Sequence, residues 1–231
     1  MIPLIDDIPH RKIPFVSYAL IALNVIVFLW EASLGPQLDA AIQQLAFVPA
    51  RFSPTGGLEA WLPIFTSMFL HAGSWHLISN MVALWIFGDN VEDRLGHGRF
   101  LLLYLLSGMA AALLHWAFYP ASVAPTVGAS GAISGVLGAY LVMFPHANVY
   151  TLLFIPFFWV DIVRIRAVYY LGVWLFTQLF NGLFSLSIRT VQSAGGVAWW
   201  AHVGGFVAGV ILVFLLRRPA PTRWPDEYRA F

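Results

Sequence analysis

An all-α bundle of six membrane-spanning helices, with both termini cytoplasmic, is the fold class predicted for this chain. Three observations predict it. Apolar residues make up 60 % of the 231 residues and charged residues 10 %, against roughly 45–50 % and roughly 25 % in a soluble domain; the mean hydropathy is +0.78. Six stretches are long enough to cross roughly 30 Å of hydrocarbon as helices. The basic residues gather on one side of that six-span topology.

The spans are expected near residues 14–30, 64–87, 100–118, 127–144, 168–188 and 197–216, in one domain covering 1–231 with a short cytoplasmic tail over 217–231. Tryptophans near their ends, among them Trp30, Trp61, Trp116, Trp159, Trp199, Trp200 and Trp224, suit anchoring at the membrane interface. The first stretch follows His10, Arg11 and Lys12 in the manner of a signal peptide. It lacks a small-residue cleavage site and five more spans follow, so it is read as a retained helix. Val149–Val160 is apolar but only about twelve residues long and broken by Pro156, which suits an interfacial or re-entrant piece.

With six spans, ten of the twelve Lys and Arg residues lie in the tails or in the loops after spans two and four; only Arg51 and Arg189 lie on the other side. A seventh span at Val149 would carry the arginine-rich C-terminal tail across the membrane. The net charge of +1, with no basic cluster, argues against a nucleic-acid partner. A cysteine count of zero removes disulfides, thiolate metal sites and cysteine nucleophiles.

Spans two, four and six all run inward from the outer side, so residues near their starts share one depth. Span two carries His76-x-x-x-Asn80, whose spacing puts both side chains on one helix face. Span four opens with Gly128-Ala129-Ser130-Gly131, and span six with Ala201-His202-Val203-Gly204-Gly205. Polar side chains in a bilayer face the bundle or a water-filled cavity, because lipid cannot satisfy them.

Gly128, Gly131, Gly135 and Gly138 leave span four with a nearly bare surface, while Ala201, Gly205 and Gly209 recur at four-residue spacing on span six. Such small-residue ridges let membrane helices approach closely. Ser130 and His202 lie within about two turns of their helix starts, and at ~1.5 Å rise per residue their depths agree within a few ångströms. His202 then comes within hydrogen-bond reach of the Ser130 hydroxyl, whose proton an imidazole can take near neutral pH.

The helix-start N–H of Ser130 and the side chains of His76 and Asn80 are candidate donors to a developing oxyanion. A purely structural use of His76 and Asn80, fixing span two against span four, is the alternative to that role. No carboxylate is placed to orient His202, so the chemistry expected is that of a Ser–His dyad. Ser134, one turn deeper, is read as a packing serine. His71 and His115 are read as a loop residue and a hydrogen-bonding residue. Asn24, Gln178 and Asn181 bridge helices or line a route for water.

On these residues the chain resembles the rhomboid family of intramembrane serine proteases, over essentially its whole length. The family pattern is a helix-2 His-x-x-x-Asn, a helix-4 Gly-x-Ser-Gly and a helix-6 histidine followed by small residues, here His76 and Asn80, Gly128 to Gly131, and His202 with Gly205 and Gly209. The resemblance implies the six-helix core form, Ser130 as nucleophile, His202 as base, and oxyanion support at His76 and Asn80. It also implies membrane-spanning protein substrates, cut near small residues where a helix unwinds. Some members carry a Trp-Arg pair in the long first loop; here Glu31–Trp61 has a lone Arg51 followed by Phe52.

Neither cofactor nor metal is expected. A zinc site drawn from His71, His76, His115 and His202 would lack the His-Glu-x-x-His pattern and a nearby carboxylate base. A small-solute transporter would call for an inverted repeat and a charged residue at mid-membrane. A rhomboid-like protein that binds membrane clients without cutting them would have no need of the dyad. The expected setting is a prokaryotic plasma (inner) membrane, since the chain is compact and carries no organelle-targeting extension. Span five and the loop before span six are the elements expected to move.

Overall fold

The computed structural model describes residues 1–9, 11–155, 159–187 and 197–217. Most of the loop before the last helix and nearly all of the C-terminal tail, Trp224 included, lie outside the described residues. Among the described residues eight α-helices occur, in chain order α1 (Phe15–Ser33), α2 (Leu38–Leu45), α3 (Leu58–Thr66), α4 (Ser74–Leu95), α5 (His97–Phe118), α6 (Ser130–Met143), α7 (Ala167–Ser187) and α8 (Trp199–Leu216). Four of them, α1, α5, α7 and α8, are long and apolar enough to cross a membrane, and α6 is a shorter apolar helix. The chain is a helical, multi-pass membrane protein.

Helix α1 starts after Pro14 with no side-chain cap of its own. The carboxylate of Glu92, on α4, supplies the cap instead, accepting the N–H groups of Val16 (2.9 Å) and Ser17 (2.7 Å) and the Ser17 hydroxyl (2.7 Å). A negative group against the free N–H groups of a helix start satisfies donors that have no partner within the helix. The 22-residue helix α4 ends at Gly96, whose φ of 83° is open to glycine at little cost, and the chain re-enters α5 at once.

The second span begins later than its hydropathy suggests. Residues 64–87 do not form one helix: Leu58–Thr66 is a separate short helix containing Pro63, a 3₁₀ turn follows over Ser67–Phe69, and the long helix starts at Ser74. Proline removes one helical hydrogen bond and Gly73 is fully extended, so the apolar run is divided. In the long segment between α1 and α4, Arg51 donates to the carbonyl (2.7 Å) and side-chain oxygen (2.8 Å) of Gln43. Phe52 beside it is buried, with its ring edge-to-face against Phe47, Trp61 and Trp116.

The segment around Val149, expected to be an interfacial or re-entrant piece, is a β-hairpin. Strands β2 (Asn148–Ile155) and β3 (Trp159–Arg166) pair antiparallel, and β1 (Ile2–Asp6) adds to β2 in the order β1-β2-β3. The register sets Val149 opposite Ile165 and Thr151 opposite Val163 on one face, and Tyr150 opposite Arg164 on the other. Val149 and Thr151 are buried, whereas the Arg164 guanidinium lies over the Tyr150 ring, 5.4 Å from its centroid. Asp6 ends β1 and accepts hydrogen bonds from Asn90 (2.8 Å) and from the Tyr140 hydroxyl. The sheet thus closes the end of the bundle opposite Ser130.

Helices α6 and α8 meet backbone to backbone. A Cβ on Gly205 would overlap the carbonyl oxygen of Gly131, one on Gly209 that of Gly135, and one on Gly138 that of Phe206. Gly135 also faces the Ser107 side chain of α5, and Gly131 that of Ala111. Side chains of any size at these positions would hold the helices apart.

Candidate active site

Helix α6 begins at Ser130, just after a turn that only glycine makes easily: Gly128 has φ +122° and donates its N–H to the Ser67 carbonyl at 2.9 Å. The same glycine touches His76. A Cβ there would stand 2.6 Å from His76 Cε1 and 2.7 Å from Nε2, and 3.6 Å from Ser130 Oγ. The missing side chain is therefore what lets the His76 ring sit beside the Ser130 hydroxyl. The first helical bond here runs from Ile133 to the Ala129 carbonyl (2.9 Å), and amides earlier in a helix have no acceptor within it.

His202 lies in the first turn of α8. Its Nε2 is 2.8 Å from Ser130 Oγ and its Nδ1 is 2.8 Å from Gln178 Oε1 on α7. The Trp174 and Trp199 rings flank the imidazole with centroids at 6.0 and 6.4 Å. Three helices thus contribute to one hydrogen-bonded chain, Ser130 from α6, His202 from α8 and Gln178 from α7. The α6–α8 glycine contacts one and two turns below hold the first two together.

Asn80 is buried on the same helix as His76 and donates Nδ2 to the His76 carbonyl at 3.0 Å. One amide hydrogen is thus engaged with its own helix and a second is left over. The Ser134 hydroxyl is buried and donates to the Ser130 carbonyl at 2.6 Å, so it is turned along the helix and away from His202.

His71 is buried at the head of α4. Its N–H is held by the Glu31 carboxylate (3.1 and 3.2 Å) and its ring lies edge-on to His76 at 5.1 Å. His115 is buried beside Tyr119 on α5. Among the described residues no three His, Cys, Asp or Glu side chains gather as they would around a metal ion. Asn24 donates back to the Leu20 carbonyl at 2.7 Å within its own helix.

The sequence pattern of the Rhomboid domain matches residues 58–219, which include all four of His76, Asn80, Ser130 and His202. The chain is 36 % identical over 143 residues to Rhomboid protein 1, mitochondrial, of Saccharomyces cerevisiae, covering 59 % of this chain and 39 % of the relative. It is 36 % identical over 128 residues to the rhomboid protease GluP of Bacillus subtilis, covering 55 % and 24 %. To the rhomboid protease AarA of Providencia stuartii it is 26 % identical over 219 residues, covering 85 % and 70 %. The match thus spans less than half the length of the first two of these relatives.

Proposed function

The chain belongs to the rhomboid family, and from that premise we propose that it is an intramembrane serine endopeptidase acting on the membrane-spanning segments of other proteins. The observation that carries this reading is the 2.8 Å contact between His202 Nε2 and Ser130 Oγ. Ser130 attacks the scissile carbonyl while His202 Nε2 takes its proton; the imidazolium then returns that proton to the departing amine. Water, with His202 again as base, releases the acyl group from Ser130. The Ser130 amide, His76 and the second amide hydrogen of Asn80 hold the oxyanion.

The six-span topology, with α1, α4, α5, α6, α7 and α8 crossing and both termini cytoplasmic, belongs to the same proposal. It is supported by the ten-to-two partition of basic residues. Under it the Ser130 end of the bundle opens to the outer side and the three-stranded sheet lies on the cytoplasmic side. A prokaryotic plasma membrane is the setting we propose; two of the relatives are bacterial proteins named proteases.

The test is cleavage of a single-span protein substrate reconstituted with the chain in liposomes. Product is expected from the wild type and from Ser134→Ala, and none from Ser130→Ala or His202→Ala. Cleavage that survives Ser130→Ala would sink the mechanism. A wild type that cuts no substrate but retains single-span proteins in the bilayer would mark a client-binding protein.

A further inference from the structure

We propose that Gln178 is a positioning residue for His202, filling with a neutral amide the place that an orienting carboxylate takes in a Ser-His-Asp triad. This rests on the reading of Ser130 and His202 as nucleophile and base, and it deepens that reading.

Gln178 is buried on α7, with only 5 % of its surface exposed. Both of its polar atoms are engaged. Oε1 lies 2.8 Å from His202 Nδ1, while Nε2 lies 3.3 Å from the Trp174 carbonyl and 3.3 Å from Thr177 Oγ1. An amide oxygen only accepts and an amide nitrogen only donates. Flipping the group would set Oε1 against the Trp174 carbonyl, two acceptors with no hydrogen between them. Thr177 reinforces the choice: its hydroxyl donates to that same carbonyl at 2.6 Å, which leaves its oxygen free to accept. The network therefore fixes Oε1 toward the histidine.

The consequence passes to the ring. Oε1 can only accept, so Nδ1 must carry the imidazole hydrogen. A neutral imidazole has one such hydrogen, so Nε2 is bare, and Nε2 is the atom 2.8 Å from Ser130 Oγ. One glutamine thus selects the tautomer in which the histidine can act as a base, and also pins the ring plane. A carboxylate at this place would bring a negative charge into a buried site flanked by Trp174 and Trp199. The amide gives the same directional bond without that desolvation cost.

Two measurements on liposome-reconstituted protein test this. The first needs no substrate: nitrogen-15 spectra of histidine-labelled protein, with the His202 signals assigned by their loss in His202→Ala. The wild type should show Nδ1 protonated and Nε2 bare. Gln178→Leu, which fills the site and removes the acceptor, should show mixed tautomers, and Gln178→Glu, which keeps an acceptor, should not. The second is cleavage kinetics. Gln178→Leu should lower kcat by about 10–100-fold, as loss of the partner that orients a metal-bound histidine does, with KM within about twofold and Gln178→Glu recovering part of the loss.

A wild-type tautomer and kcat in Gln178→Leu would overturn the proposal. So would a loss of activity with the tautomer unchanged. Ser130→Ala in the same liposomes separates the two failures: cleavage surviving in that variant removes the nucleophile assignment, whereas the tautomer readout still judges Gln178 alone.

Discussion

Glu92 and Ser17 lock the first helix to the fourth: one carboxylate oxygen receives both the Ser17 amide and the Ser17 hydroxyl at 2.7 Å. Its second oxygen takes the Val16 amide at 2.9 Å and meets His97 Nδ1 at 2.5 Å. Glu92 is 1 % exposed, and among the described residues these are the groups its carboxyl oxygens bond. Replacing it with alanine strands three donors at the start of α1, two of them buried. Glu92→Ala is expected to destabilise the protein by about 3 kcal/mol, read as an earlier unfolding transition in detergent. Gln at the same place should lose less, because it keeps an acceptor.

Asp6 makes the docking of β1 sensitive to pH. Burial pushes its carboxyl from 3.8 up to about 7, and the neighbouring charges of Asp89 and Asp7 push the same way, while the hydrogen bond from Tyr140 opposes them in part. The docked strand therefore holds a proton that a detached strand would give up between about pH 4 and pH 7. Docking is strongest at the acid end of that window and weakens as pH rises to about 7, with no further change above. The hydrogen-exchange protection of Ile2–Asp6, taken relative to the intrinsic rate at each pH, should fall across the window in the wild type and stay level in Asp6→Asn.

The glycine seam between α6 and α8 should be intolerant of a single methyl group. In Gly209→Ala the new Cβ meets the Gly135 backbone, which no rotamer can relieve. We expect a loss of about 1–3 kcal/mol, and a larger loss of cleavage, since the same seam sets the distance between Ser130 and His202. Gly172→Ala is the control, because a Cβ there meets nothing within 4 Å. It should keep wild-type activity and unfold no earlier than the wild type.

A hydroxyl with its proton already directed to an imidazole is a target for phosphylating reagents. A fluorophosphonate probe should label the wild type and Ser134→Ala in detergent. Ser130→Ala should remain unlabelled and His202→Ala nearly so, as seen by gel fluorescence. Labelling that moves to Ser134 in the wild type would contradict the nucleophile assignment.

The reach of the sequence differs from element to element. Helices α1, α5, α6, α7 and α8 lie within a few residues of their expected spans because each is an apolar run with distinct ends. The start of α4 was hidden because Trp61–Leu70 is as apolar as the helix that follows; only Pro63 and Gly73 divide them. The sheet was harder still. A short apolar segment reads alike as strand or interfacial helix, although the β-branched and aromatic content of residues 148–166 and the proline between its halves were hairpin signals.

At the site, Ser130, His202, His76 and Asn80 stood out as polar residues at spaced positions in apolar helices. Gln178 shared that polarity but had no motif around it. Its pairing with His202 comes from the packing of α7 on α8, across 24 residues of chain, and no local pattern announces such a contact.

Ser130 and His202 sit on helices joined through bare backbone, whereas Gln178 sits on α7, whose Phe176, Phe180 and Phe184 form an exposed ladder directed away from the bundle. If α7 swings aside to admit a client helix, the bond that breaks is the one from Gln178, while the serine and histidine stay together. The histidine would then be free to turn until α7 returned. Admission and reaction would thereby become successive states of one latch, with the base fully set only when the door behind the client has closed.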